Sequence, residues 1–170
     1  MDYIKINYPN LSCISSTTKC LNKTQFLDEL HNDNFIEVCL DYNLNHNWEI
    51  LNNLNPKEKD KCEFLCNAIC PPGCPTRKRH YALNSLYNLS FGKSYDIPYC
   101  GIKAHSLSPE CKKYSNNITY EEIVNKYEPN GFSHFKLEGR TFSNLEQVLI
   151  YSDYMVKPEY KDLFIAIMLR

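Results

Sequence analysis

The chain has 170 residues, 43% of them hydrophobic and 23% charged, with a formal net charge of -1. That length suits one domain with an ordinary core, residues 1–170, and is too short for a complete eight-fold β/α barrel, which takes about 250 residues. The composition sits near the globular average, so disorder is not the expectation, and the near-neutral charge suggests no bulk attraction to nucleic acid or to an anionic membrane.

Residues 2–8 read as a short helix ending near Pro9, and residues 11–16 as a strand. Asn22 or Thr24 caps a helix with Phe26, Leu27 and Leu30 on its apolar side. Residues 35–40 form a second strand, and Trp48, Ile50, Leu51 and Leu54 a helix closed by Pro56. Residues 62–67 give a third strand, Pro71-Pro72-Gly73 breaks the chain, and residues 76–88 are helical. Residues 89–117 show little periodicity, and so long a loop in a compact domain is either functional or hides an element. Thr119 caps a helix through Tyr127, residues 132–138 make a fourth strand, Ser143 caps a long helix, and Pro158 opens the last one.

Strands alternating with helices predict parallel β/α units. Four units in this length predict an α/β fold of the incomplete, half-barrel type. Loops at the C-terminal ends of parallel strands carry the chemistry of such folds. Ser15 to Lys19 fall there, as do Asp41, Asn43, Asn67, Cys70, Cys74, Glu138, Gly139 and Arg140. A half-barrel exposes edge strands, so a homodimer or a partner chain covering those edges is expected. No apolar run approaches the roughly 20 residues of a membrane span, and the N-terminus lacks the order of a secretory signal. A cytoplasmic protein with no membrane partner is therefore expected.

Nine cysteines stand out. An odd count without an export signal argues for metal or redox chemistry over a disulfide framework. Cys13 and Cys39 lie in strand-like apolar runs, as do Cys62 and Cys66, where a thiol is a small core residue. Cys70 and Cys74 bracket Pro71-Pro72-Gly73, so both sit on a loop, and Cys100 and Cys111 lie in the long stretch with Pro98, Gly101 and Pro109.

Two segments carry a family resemblance. Residues 63–74, Glu-Phe-Leu-Cys-Asn-Ala-Ile-Cys-Pro-Pro-Gly-Cys, resemble the strand and cysteine loop of the collagenase-like peptidase family. Residues 132–140, Phe-Ser-His-Phe-Lys-Leu-Glu-Gly-Arg, resemble that family's strand ending in Lys-(Ile/Leu)-Glu-Gly-Arg. The two cover about residues 62–149. The resemblance implies a (β/α)-barrel (TIM-barrel) lineage in which many members hold a [4Fe–4S] cluster on four cysteines. Several of these act in oxygen-independent hydroxylation of RNA bases or quinone precursors, despite the family's name. The chain is about half to two-thirds of the usual barrel, and its Cys-x3-Cys pair is tighter than the usual spacing.

Four thiolates suit tetrahedral Zn²⁺ or an iron–sulfur cluster. Cys70 and Cys74 supply one arm of a metal site, Cys100 and Cys111 the second, and Cys66 is the reserve ligand. Neither pair has the Cys-x2-Cys spacing of a zinc ribbon, which together with the resemblance favours the cluster. A structural zinc site or free thiols in a non-catalytic binding or assembly module is the alternative. Radical-SAM spacing fails because the position of its third cysteine is Arg77. No nucleophile elbow and no His-Glu-x-x-His motif supports a hydrolase. Arg77-Lys78-Arg79-His80 is either a phosphate-, RNA- or cluster-binding run or a solvated helix start. His80 and His105 are weaker metal candidates. Lys136, Glu138 and Arg140 alternate along the fourth strand and so share one face. They, with Asn67, either bind substrate or form a charge network at the barrel mouth.

Overall fold

The computed structural model describes residues 2–90, 114–139 and 142–170. Cys100, Cys111, His105, Arg140 and most of the weakly periodic stretch lie outside the described residues. The strands are β1 (Cys13–Ser15), β2 (Phe35–Cys39), β3 (Cys62–Leu65) and β4 (His134–Lys136). All neighbours pair in parallel, in the order β1-β2-β3-β4. The helices are α1 (Asp2–Asn7), α2 (Lys23–Leu30), α3 (Trp48–Leu51), α4 (Pro56–Asp60), α5 (Arg77–Leu89), α6 (Tyr120–Glu122), α7 (Asn144–Met155) and α8 (Lys161–Met168). None is long and apolar enough to cross a membrane.

Side chains alternate across a strand, so each sheet face is set by parity. One face carries Phe35, Val38, Leu40, Cys62, Phe64, Cys66, Phe135 and Leu137, which pack with Phe26 and Leu30 of α2, Ile50 and Leu51 of α3, and Ile118, Ile123, Tyr127 and Phe132. Phe35 and Val38 share that face despite opposite parity because β2 holds one extra residue. Cys13 lies opposite Phe35 and Ile14 opposite Glu37, leaving Ile36 as a β-bulge. Phe64 is the hub, with ring centroids 5.0 Å from Tyr127, 5.1 Å from Phe132 and 5.9 Å from Phe135. Burying an aromatic so completely contributes about 1.5–3 kcal/mol.

The other face is polar. Lys136 Nζ meets Glu63 Oε2 at 2.9 Å, and His134 Nδ1 lies 3.4 Å from Glu37 Oε1. Burial pulls the Lys136 ammonium down, but its hydrogen bond to Glu63 and that carboxylate's charge outweigh it, so the net shift is upward. Toward the strand C-termini this face turns apolar, where Cys39 and Leu65 pack with Tyr42, Ala68 and Cys70.

Helix starts follow the local chemistry. Asn22, Asn55, Thr119 and Ser143 each cap a helix whose third residue reaches back as Gln or Glu, forming capping boxes. Two expectations are corrected. Pro56 does not close the helix before it but opens α4, since its missing N–H costs nothing at a first turn. The helix capped by Thr119 passes after one turn into a π-helical turn, Ile123–Tyr127, which sets Ile123 and Tyr127 into the core. That segment is the outer layer between β3 and β4. α5 contributes no residue to the main core, and its one buried residue is Arg77.

Candidate functional site

The strand C-termini converge on one rim, and a cavity of about 660 Å³ opens there. Ser16, Thr17 and Thr18 after β1 form one wall, Leu65 and the run Lys136 to Gly139 a second, and Tyr81 of α5 with Gln147 and Tyr151 of α7 close it. Thr17 Oγ1 is buried on this wall without a hydrogen-bond partner among the described residues. α5 lies against the turn Thr17–Lys19 that follows β1, so the helix after β3 crosses the mouth of the sheet.

Two clasps shape the rim. In the first, Asn67 Oδ1 accepts from the Glu138 backbone N–H at 2.6 Å, and Asn67 Nδ2 donates to the Glu138 carbonyl at 2.8 Å. The Glu138 carboxylate accepts from the Ile69 N–H at 3.3 Å. Asn67 and Glu138 are thus brought together as the sequence places them, with the Asn67 amide engaged by backbone on both sides. Lys136 reaches Glu63 on the polar face. Arg140 lies outside the described residues.

In the second clasp Arg77 is buried beneath the rim, 5% exposed, against Asp41, 4% exposed. Its guanidinium donates to both carboxylate oxygens of Asp41. Arg77 Nε also donates to Cys20 Sγ at 3.0 Å, and the guanidinium lies 4.2 Å over the Tyr42 ring. Cys20 has φ of 52°, a left-handed conformation unusual for a side chain other than glycine, and its N–H closes the preceding turn onto Thr17. Arg77 is therefore neither a free anion-binding group nor a solvated helix start. Its charge is already taken by Asp41, and only Lys78 and Arg79 of the basic run face solvent.

The Cys70–Cys74 loop sits against this clasp. Gly73 takes φ of 67° to make the turn, and its N–H donates to Asn43 Oδ1 at 3.0 Å, tying the loop to the end of β2. Cys74 Sγ lies 3.5 Å from Thr76 Oγ1, and the Cys70 carbonyl accepts from Asn116 Nδ2 at 3.4 Å. Tyr42 and Tyr81 stand beside the thiols. Burial raises the Tyr42 phenol, followed by Cys70, Tyr81 and Cys74; burial also raises Tyr81, followed by Cys70 and Glu138.

Cys39, Cys62 and Cys66 are core thiols. Burial pushes each up to about 12, which leaves them protonated and unreactive. Cys66, the reserve ligand, donates to the Phe64 carbonyl at 3.5 Å inside the main core. Cys20, Cys70 and Cys74 are reduced and near the rim. Among the described residues no three His, Cys, Asp or Glu side chains converge as metal ligands. The described part of the chain thus supplies two thiols of the expected four, on one loop at a strand end.

Sequence reasoning missed Cys20, Tyr81, Gln147 and Tyr151, and the Asp41–Arg77 pairing. Comparison with protein-family models, curated proteins and solved structures finds no match to the chain. Fold and site together define a parallel α/β protein with a tyrosine-walled cavity of mixed polar and apolar lining at its strand ends and a thiol loop on the rim.

Proposed function

We propose that the chain is half of a (β/α) barrel, related to the collagenase-like peptidase family, whose cysteine loop holds one side of a [4Fe–4S] cluster beside a substrate cavity. It acts as an enzyme or accessory subunit in oxygen-independent hydroxylation of RNA bases or small aromatic substrates. The observation that carries this reading is the position of Cys70 and Cys74. They follow the C-terminal end of β3, where β/α folds keep their chemistry, and stand beside Tyr42 and Tyr81, of which Tyr81 lines the cavity. The sequential strand order supports the half-barrel, since a doubly wound sheet reverses its order at a switch point. Cys100 and Cys111 are the second arm that the sequence assigns. A bound cluster supplies one-electron chemistry. Asn67 holds the Glu138 backbone in place, Lys136 and Glu138 polarise one wall, and Tyr81 and Tyr151 offer faces to a planar ring.

Anaerobic purification with iron and sulfide assay tests this. A brown protein with about four irons per chain is expected. Cys70→Ser and Cys74→Ser each lose the iron, whereas Cys66→Ser keeps it. A colourless protein, with zinc or without metal, refutes the cluster and leaves the second reading, a non-catalytic binding or assembly module. That reading draws on the Asp41–Arg77 pair, which fills part of the rim with a charge already neutralised.

A further inference from the structure

On the half-barrel reading above, we propose that a second copy of this chain closes the fold, with α8 of each copy seated on α1 of the other. α8 is apolar on every side, from Leu163 to Met168, and yet none of its residues is buried. A helix that is hydrophobic all round belongs inside a structure. Leu163 is 60% exposed, Ile167 58% and Met168 52%. At the opposite edge of the sheet, α1 leaves Tyr3 73% and Ile6 77% exposed, and Tyr8, which follows it, is 59% exposed.

Their places in the fold fit one another. α1 leads into the edge strand β1, and Lys5 Nζ ties it to the Leu11 carbonyl at 3.1 Å. α8 packs on α7, which follows the other edge strand, β4; Lys161 holds the two together through Asp153 at 3.3 Å. A two-fold axis that sets β4 beside the partner's β1 brings α8 to the partner's α1 twice, leaving neither edge bare. The area is sufficient. At these exposures each large apolar side chain shows roughly 100 Å², being no larger than an aromatic of 150–250 Å². With their exposed apolar neighbours the two patches offer about 1,000 Å² per copy, so two copies bury on the order of 2,000 Å², the size of a stable dimer.

Sedimentation velocity on the full chain, with iron assayed on the same sample, tests this. The wild type is expected to sediment as a dimer at about 10 μM, an ordinary affinity for an interface of this size. Ile167→Glu and Ile6→Lys, both exposed positions that the fold does not need, each give a folded monomer. Mixing the two variants restores a dimer, because one of its interfaces is then intact and the other pairs Glu with Lys. A wild-type monomer overturns the proposal, as does a dimer that Ile6→Lys leaves unchanged, since α8 would then meet α8. A monomer that carries iron refutes the dimer alone, and a colourless dimer refutes the cluster alone.

Discussion

Arg77 shows how much one buried charge decides. Its guanidinium is held by both oxygens of Asp41, backed by the Tyr42 face and the Cys20 sulfur. Removing one partner of such a pair leaves the other desolvated and unpaired, which costs about 3–5 kcal/mol. Asp41→Ala is therefore expected to lose about that much in urea unfolding. The double variant Asp41→Ala/Arg77→Met is expected to lose less than the two single losses added together. An Asp41→Ala cost below about 1 kcal/mol would show that the pair is open to water. None of this was legible locally. The partners of Arg77 lie 36 and 57 residues away, and a basic run after a Pro-Gly loop looks the same whether it is solvated or buried. Asn67 and Glu138 were easier, because both sit where a parallel strand must end.

At the scale of elements, strands and caps were readable because their signals are short-range. Short apolar runs marked the strands, and Thr119 and Ser143 marked their helix starts as capping residues, as did Asn22, for which Thr24 was the alternative. The bulge at Ile36 and the π-helical turn at Ile123–Tyr127 were not readable, since no local propensity marks them; the bulge keeps both Phe35 and Val38 in the core, and the turn sets Tyr127 against Phe64. β2, β3 and the turn after β3 also share a chemical liability. Cys39, Cys62 and Cys66 are raised from 9.0 to about 12 by burial. Below pH 9 the stability this represents is fully present. Above pH 9 the unfolded chain releases these protons while the folded chain keeps them, so each thiol removes about 1.4 kcal/mol of stability per pH unit until the folded value is reached. Urea midpoints are expected to stay flat from pH 7 to 8.5 and to fall steeply from pH 9 to 10. Cys62→Ala should lessen that slope by about a third. An unchanged slope would mean that these thiols ionise freely in the folded protein.

For the whole molecule, the sheet was legible and its surroundings were not. The sequence pattern implies parallel units, but it does not say that α5 leaves the outer layer and lies over the mouth, where Tyr81 walls the cavity. That placement depends on the clasp between Arg77 and Asp41 and on the turn after β1, both remote in the chain. The Asn67–Glu138 clasp joins residues 71 apart, whereas β1, β2 and β3 follow one another through much shorter connections. Closing a longer loop costs more chain entropy before its contacts repay it. The order of assembly follows. β2 and β3 join early, and β4 docks last, drawing α7 and the second wall of the cavity into place with it. In pulse-labelled hydrogen exchange during refolding, the Leu40 N–H, bonded to the Glu63 carbonyl, is expected to gain protection before the Glu138 N–H, bonded to Asn67. Simultaneous protection of the two would show that the sheet forms in one step. With the expected order, the cavity is the last part of the protein to exist, and a chain paused before β4 docks has most of its core but no cavity.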